Sequence, residues 1–304
     1  MRDVRGSDTR RRQGRAEDWT FISVHRMGNI LWLASYPKSG NTWLRAFLAN
    51  LLANPSAALP FDGWLRYGDD EALPGRFSEV AGCASEFMDI EQLSAVRPQV
   101  HALIAARSKG TAFVKTHNLN GSFAGYPLHN MDVTAGAIYV VRNPLDVVVS
   151  MAAHFSLSID DAIERLGNDD LATANDSLYV SQILCSWSRH VSSWADIEGP
   201  QVLVVRYEDM LEKPAKVFVK VAHMVGLDRD RERIERAIRF AGFHQLQGME
   251  RRSGFREAAR ADTPFFRAGC ANQWREQLSR DQVKRVIADH RPLMQRFRYL
   301  PAGY

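Results

Sequence analysis

No apolar run in the 304-residue chain approaches the roughly 18 residues that a membrane-spanning helix needs. Residues 1–18 are mostly arginine and polar side chains, so the apolar core of a secretory leader is missing as well. Cysteine is scarce. Cys83, Cys185 and Cys270 are odd in number, far apart and in no metal-ligand spacing, which predicts isolated thiols in a reducing, cytoplasmic setting. A large charge excess, from which a nucleic-acid footprint could be argued, is lacking too. The net charge is +4, and the first 18 residues alone hold six arginines against four acids. Nucleic acid is therefore not an expected partner. That arginine-rich stretch reads as a disordered, dispensable tail (1–18), and residues 19–304 read as one domain without internal repeats. An apolar content of 45% and a charged content of 24% are those of a globular enzyme, and the length suffices for a full α/β core.

What is present is an alternation of strand-like and helix-like segments. Trp19–Val24 reads as a short edge strand. Ile30–Ala34 is a compact apolar run that ends in the polar loop Ser35–Gly40, and Leu44, Phe47, Leu48, Leu51 and Leu52 then recur at helical spacing. Residues 55–100 are mixed, with Pro55, Pro60 and Pro74, and read as helices and loops off the sheet. Thr111–Lys115 is a second strand. Ala137–Val141 is wholly apolar, as a strand buried on both faces is. It stops at Arg142, after which Asn143 suits an N-cap, Pro144 the first helical position and Asp146 the positive end of the helix dipole. Val202–Val205 ends at Arg206-Tyr207-Glu208-Asp209, and its following helix opens at Pro214 and stops at Gly226. The expected fold class is α/β, a P-loop-like three-layer arrangement with a central, mainly parallel sheet flanked by helices.

Ligands of open parallel sheets bind outside the carboxyl ends of the strands. All four predicted strands deliver polar groups there: Ser35–Thr42, Lys115-Thr116-His117, Arg142, and Tyr207-Glu208. The first loop, Tyr36-Pro37-Lys38-Ser39-Gly40-Asn41-Thr42-Trp43, reads as a phosphate cradle. Gly40 permits close backbone approach, and the amides of Asn41, Thr42 and Trp43 are expected to be unpaired at the helix start. It is not a Walker A loop, because lysine precedes the glycine and no magnesium-ligating Ser/Thr follows a Walker lysine.

These residues resemble the sulfotransferases that use 3′-phosphoadenosine 5′-phosphosulfate. The octapeptide from Tyr36 to Trp43 is similar to that family's donor loop. Lys115-Thr116-His117, Arg142-Asn143-Pro144-Leu145-Asp146 with Ser150, and Tyr207-Glu208-Asp209-Met210 follow in the family's order. Phe265-Phe266-Arg267-Ala268-Gly269 with Trp274 is a weaker match, and the resemblance runs from about Ile30 to Trp274. It implies transfer of a sulfuryl group to a hydroxyl or amine, with that nucleotide as co-substrate and no metal. By the same resemblance His117 is the general base, Lys38 contacts the oxygen bridging phosphorus and sulfur, and Lys115 assists the transferring group. A histidine suits a base near neutral pH, and a lysine ammonium suits developing charge on a leaving oxygen. Ser39, Gly40, Asn41 and Thr42 would hold the 5′-phosphate end. Arg142, Ser150, Arg267, Ala268 and Gly269 would surround the 3′-phosphate. Trp43, Phe243 and Tyr207 would contact the adenine.

The chain departs from the family's late motif, with Ala268 for a lysine, Asn272 for a glycine and Gln273 for an aspartate. One phosphate contact is thus expected to be missing, and Asn143 and Asp146 are assigned to capping. The acceptor, a small molecule, a glycan or a lipid, is expected to enter between the donor loop and segments 55–100, 118–135, 157–180 and 248–266. Their aromatics are Phe61, Trp64, Tyr67, Phe77, Phe87, Phe123, Tyr126 and Phe255, half of them expected to be core instead. No dimerisation motif is legible near the C-terminus, so no oligomeric state is read. A magnesium-dependent kinase on the same strand–loop–helix plan and a non-catalytic nucleotide-binding module are the alternatives. The first lacks the Walker lysine, and the second is at odds with the presence of both Lys38 and His117.

Overall fold

The computed structural model describes residues 30–197, 201–258 and 264–304. The expected tail (1–18) and the expected strand Trp19–Val24 lie outside the described residues. β1 (Ile30–Ser35) leads into α1 (Asn41–Ala53). β2 (Asp69–Asp70), α2 (Pro74–Ala81) and α3 (Ile90–Arg107) precede β3 (Ala112–Thr116), which is followed by a small hairpin of β4 (Ser122–Phe123) and β5 (Tyr126–Pro127). β6 (Thr134–Val141) is succeeded by α4 (Pro144–Phe155), α5 (Ile159–Gly167) and α6 (Trp187–Ala195). β7 (Gln201–Arg206) runs without a break into α7 (Tyr207–Glu212). Then come α8 (Pro214–Met224), α9 (Arg231–Phe240), α10 (Phe243–Ser253), α11 (Trp274–Gln277) and α12 (Arg280–Arg296).

The five-stranded sheet has the order β2-β3-β1-β6-β7 and is parallel throughout. Strand side chains alternate between its faces, and each face is apolar. Ile30, Trp32, Ala34, Ala137, Tyr139 and Val141 point to one core, closed by α3, α4, α6 and α12. Leu31, Leu33, Ile138, Val140 and Val205 point to the other, closed by α1, α8 and α9. Burial on both sides is why these strands read as continuous apolar runs rather than as alternating ones. The three-layer α/β expectation holds. One detail of the sequence reading does not. Asp69–Asp70, inside the stretch expected to lie off the sheet, pairs with Val114–Lys115 as a short edge strand. A two-residue strand made of aspartates has no apolar signature to betray it.

Chain order from β1 goes to β3 on one side and to β6 on the other, so the sheet's switch point flanks β1. The register brings the carboxyl ends level, with Ala34 opposite Thr116 and Ser35 opposite Val140. Two buried clips fix those ends. The Glu208 carboxylate accepts the Asn143 amide (3.0 Å) and the Tyr299 hydroxyl (2.8 Å), joining the ends of β6 and β7 to the C-terminal segment. The Asn143 side chain caps the Leu145 amide, as its position before Pro144 predicts.

Between β6 and β7 there is no room for a side chain at Gly136. A Cβ there would stand 2.6 Å from the Gln201 carbonyl oxygen and 3.2 Å from Met224 Cε. Gly136→Val is expected to lower the unfolding free energy by about 1–3 kcal/mol, the usual cost of overpacking a filled interior. Chemical denaturation followed by circular dichroism checks this, and an unchanged midpoint would contradict it.

Candidate active site

β1 ends at buried Ser35, and the chain turns through Tyr36–Gly40 into α1. Two left-handed residues make the turn, Lys38 (φ 65°) and Gly40 (φ 106°). Gly40 is required twice over, since a Cβ would also meet the Tyr207 ring at 2.7 Å. The Asn41 side chain donates to the Leu33 carbonyl (2.8 Å), fastening the helix start to the strand. The amides of Asn41 and Thr42 lie in the first turn, ahead of any intrahelical acceptor. That of Trp43, expected to be free, bonds instead to the Gly40 carbonyl at 3.1 Å. No acid sits in this first turn and no side chain caps it. The buried Ser39 Oγ and Trp43 Nε1 have no hydrogen-bond partner, which suits a polar ligand lying on the loop.

Arg142, at the end of β6, is buried, and its partners are backbone. It donates to the carbonyls of Lys38 (2.9 Å) and Cys270 (3.3 Å), and its guanidinium stacks on Tyr207 with 4.4 Å to the ring centroid. Nε has no partner, and no carboxylate pairs with the charge among the described residues. Ser150, two turns along α4, makes no side-chain hydrogen bond among the described residues and lines the same cleft, of about 440 Å³. Bonding back to a helix carbonyl is thus not its role. The cleft is also lined by Lys38, Thr42, Trp43, Lys115, His117 and Tyr207, and by the distant Phe243, Arg267, Ala268 and Gly269. Sequence reasoning therefore named residues that the fold brings together.

The segment 264–274 arches over this end and is held by carboxylates. Glu250 accepts the amides of Phe265 (2.6 Å) and Phe266 (3.0 Å), and Asp146 accepts those of Asn272 (2.7 Å) and Trp274 (3.2 Å). Asp146, assigned to capping from the sequence, thus has its hydrogen bonds to the arch instead, and Asn143 alone caps α4. The departures in the motif also find their places. Asn272 takes φ 65°, a left-handed position that asparagine tolerates in place of glycine. Gln273 accepts from Arg267 (3.1 Å) and donates to the Cys270 carbonyl (3.2 Å). Gly269, at φ 60°, has no space for a Cβ, which would fall 2.2 Å from the Phe243 ring.

His117 stands at the end of β3 with its Nδ1 bonded to the Ser35 carbonyl at 2.7 Å. A carbonyl only accepts, so Nδ1 carries the hydrogen and Nε2 is the lone-pair nitrogen. Burial first, then the Lys115 charge, pulls its pKa down to about 4, so the ring is neutral at physiological pH. Both flanks are fixed. The Glu71 carboxylate accepts Thr116 Oγ1 (2.5 Å) and the Asn118 side-chain amide, and also His101 Nε2 (2.9 Å), with Arg97 at 3.5 Å. Burial pushes that carboxyl up, but the Arg97 charge and the His101 hydrogen bond outweigh it and hold it well below the carboxylate range. Gln182 takes the His117 amide (2.8 Å), and His190 Nε2 donates to the His117 carbonyl (2.9 Å).

Burial and then Arg142 depress the Lys38 ammonium to about 7, against a smaller upward pull from Glu257. Its Nζ lies 4.0 Å from the Phe265 ring centroid. Lys115 has a local partner, Asp70 Oδ2 at 2.8 Å. Burial would lower its pKa, but the Asp70 and Glu257 charges raise it. Sequence reasoning missed Asp70, Glu71, His154 and Glu257. The Glu257 carboxylate accepts from Arg45 (2.7 Å) and Thr42 Oγ1 (3.4 Å) on the cleft wall. Asp70, Glu71 and Glu257 are linked to the motifs only through space, so no spacing signals them, whereas His154 follows Ser150 by one turn of α4. The aromatic wall also differs from expectation. None of Phe61, Trp64, Tyr67, Phe77, Phe87, Phe123, Tyr126 or Phe255 lines the cleft, and Phe155, Tyr179, Phe265 and Phe266 do. Phe61, Trp64 and Phe255 are spent on an aromatic cluster with Phe266 behind the arch.

A family model described as the sulfotransferase domain matches residues 29–298. Flavonol 3-sulfotransferase of Flaveria bidentis is 24% identical over 277 residues, covering 85% of this chain and 79% of that protein. Cytosolic sulfotransferase 17 of Arabidopsis thaliana is 22% identical over 280 residues, covering 85% and 72%. In fold the chain is similar to retinol dehydratase in complex with androsterone and inactive cofactor PAP (TM-score 0.60, 21% identity, 89% and 82% covered). It is also similar to mouse sulfotransferase SULT7A1 complexed with PAP (TM-score 0.57, 19% identity, 88% and 84% covered).

Glu71 is the hinge of the buried polar network beside the candidate site. Glu71→Ala leaves the Arg97 guanidinium, 1% exposed, without its counter-charge. The expected cost is about 3–5 kcal/mol of unfolding free energy. Urea denaturation measures it, and a loss below about 1 kcal/mol, the value of an exposed pair, would contradict the assignment.

Proposed function

The chain belongs to the sulfotransferase-domain family, matched over residues 29–298, and on that premise we propose the following reaction. The protein transfers a sulfuryl group from 3′-phosphoadenosine 5′-phosphosulfate to a hydroxyl or amine of a small acceptor, with residues 19–304 as one catalytic domain. His117 Nε2 takes the acceptor's proton as the acceptor's oxygen or nitrogen forms its bond to sulfur. The sulfur–oxygen bond to the donor's phosphate breaks, and adenosine 3′,5′-bisphosphate leaves with the electron pair. Lys38 stands at the loop where that charge grows, and Lys115 supports the transferring group. The amides of Asn41 and Thr42, with Ser39 and Gly40, receive the 5′-phosphate end. Arg142, Ser150 and Arg267 receive the 3′-phosphate, with Ala268 and Gly269 beside it, and Trp43, Tyr207 and Phe243 enclose the adenine.

The observation that carries this reading is His117. Its Nδ1 hydrogen goes to the Ser35 carbonyl, which leaves Nε2 basic in the cleft that Lys38 and Arg142 line. The cleft is also lined by Phe155, Tyr179 and Phe265, and this aromatic lining favours an apolar or aromatic small molecule over a glycan. The names of the relatives, a flavonol 3-sulfotransferase and a luciferin sulfotransferase of Photinus pyralis, support that class. The phosphoryl-transfer alternative finds no support in the loop, where Asn41 follows Gly40 and its side-chain amide is committed to Leu33. Among the described residues no helix is long and apolar enough to cross a membrane. A cytoplasmic setting is proposed with the relatives named as cytosolic enzymes.

His117→Ala is expected to cut turnover by about 10²–10⁴ while leaving the affinity for adenosine 3′,5′-bisphosphate nearly unchanged. Retention of more than about a tenth of the rate would remove His117 from the base role. The pH profile carries the same signature. A base with a pKa lowered to about 4 stays unprotonated until the pH falls to that value. A lysine lowered to about 7 loses its proton as the pH rises through that value in the free protein. Thus kcat/KM is expected to fall on the acid side near 4 and on the alkaline side above about 7. An acid limb at the ordinary histidine value of about 6.5 would contradict the buried, Ser35-bonded ring.

A further inference from the structure

A second concave site lies on the far side of α7. Tyr207 and Leu211 face the donor cleft, whereas Arg206 and Asp209 line a separate groove of about 330 Å³. α8 adds Lys213, Lys216 and Lys220 to it, and the end of α12 adds Arg296 and Arg298. Six cations thus surround a groove whose lining includes a single carboxylate, Asp209. That carboxylate is taken by Arg206 at 3.0 Å, and Arg296 pairs outside the groove with Asp196. Lys213, Lys216, Lys220 and Arg298 have no ion pair among the described residues.

Fold stability does not account for these placements. Lys213 and Lys216 flank the first turn of α8, where the helix dipole disfavours cations and where no acid compensates. Arg298 occupies the left-handed position that follows α12, at φ 59°, where glycine is the favoured residue. The bonds there, Arg298 amide to Gln295 and Tyr299 amide to Met294, need no side chain. Like charges gathered in a concave surface raise its potential and attract multivalent anions. Val217 and Phe297 are the apolar residues of the groove's lining.

We propose that this groove is a second anion site, for a small ligand or headgroup that carries two or more phosphate or sulfate groups. The volume is several times that of a single such group, for which a lone lysine pair would suffice. The lysines act as point charges, and Arg298 supplies forked donors for an oxyanion. The ligand contacts residues on both sides of the groove, α8 on one and the α12 terminus on the other.

The test titrates the full chain with inorganic pyrophosphate in the presence of adenosine 3′,5′-bisphosphate, which keeps the donor cleft from contributing. One saturable site is expected. The double variant Lys216→Glu/Lys220→Glu, both changes on exposed residues, is expected to weaken it at least tenfold, about the value of one charged contact. The same variant is expected to bind the bisphosphate as the wild type does. The difference between the two proteins isolates the groove whether or not the nucleotide fills the cleft. Co-sedimentation with phosphatidylcholine vesicles, plain or doped with phosphatidylinositol bisphosphate, separates the sources. Loss of vesicle binding in the double variant identifies a lipid headgroup, and pyrophosphate binding alone identifies a soluble ligand. Absence of saturable binding to either probe, binding undiminished in the double variant, or binding of duplex DNA without binding of pyrophosphate would each overturn the proposal.

Discussion

The arrangement rests on one buried positive charge that no acid pairs with among the described residues. Arg142 closes β6 and reaches two backbone carbonyls, Lys38 on the donor loop and Cys270 on the arch. It thereby ties the donor loop to the arch, whose Cys270 lies 128 residues beyond Arg142 in the chain. Carbonyl dipoles orient a guanidinium without cancelling its charge, and stacking on Tyr207 only partly replaces lost water. The neighbouring ammonium feels the consequence, since Arg142 helps to press Lys38 down to about 7. Two cations so disposed are in tension until an anion lies between them. The carboxylates around the donor end are each taken by other groups. α1 starts without an acid, Asp146 and Glu250 are occupied by amides of the arch, Glu208 by the Asn143 amide and the Tyr299 hydroxyl, and Glu257 by Arg45 and Thr42.

The opposite wall of the cleft follows another rule. There the polar groups are satisfied pairwise: Lys115 by Asp70, Arg45 by Glu257, Thr116 and Asn118 by Glu71. Such saturation fixes side chains instead of leaving them to a ligand, and its product is the orientation of His117. Under the proposed reaction, a rigid base beside an electrostatically incomplete donor end is the division of labour that sulfuryl transfer requires. The proton acceptor must be aimed, and the leaving charge must be received.

What the sequence made legible was whatever is local. The apolar run Ala137–Val141, the turn Ser35–Gly40, and Asn143-Pro144 opening α4 are determined by neighbours in the chain, and each was read to within three residues, the start of β6 at Thr134 being the widest miss. Apart from Ser39, the donor-side residues named by motif line one cleft, those at the strand ends because the strands end level. What was not legible is non-local. Glu71 meets Thr116 across 45 residues, and Asp146 meets Asn272 across 126. A carboxylate in a helix's first turn looks like a dipole partner until the arch that uses it is folded over. The aromatics misled for the same reason, because Phe61 and Phe255 stack with Phe266 behind the arch, whereas Tyr179, in a segment without regular structure, reaches the cleft.

The central claim is that Arg142 reads the 3′-phosphate of the donor and is not merely a strut. Calorimetric titration of wild type and Arg142→Ala with adenosine 3′,5′-bisphosphate and with adenosine 5′-phosphosulfate tests it most directly. The expected loss is about ten- to a hundredfold for the bisphosphate, about 1.4–2.8 kcal/mol, with a much smaller loss for the ligand that lacks the 3′-phosphate. Equal losses for both ligands would mean that Arg142 only holds the loop to the arch.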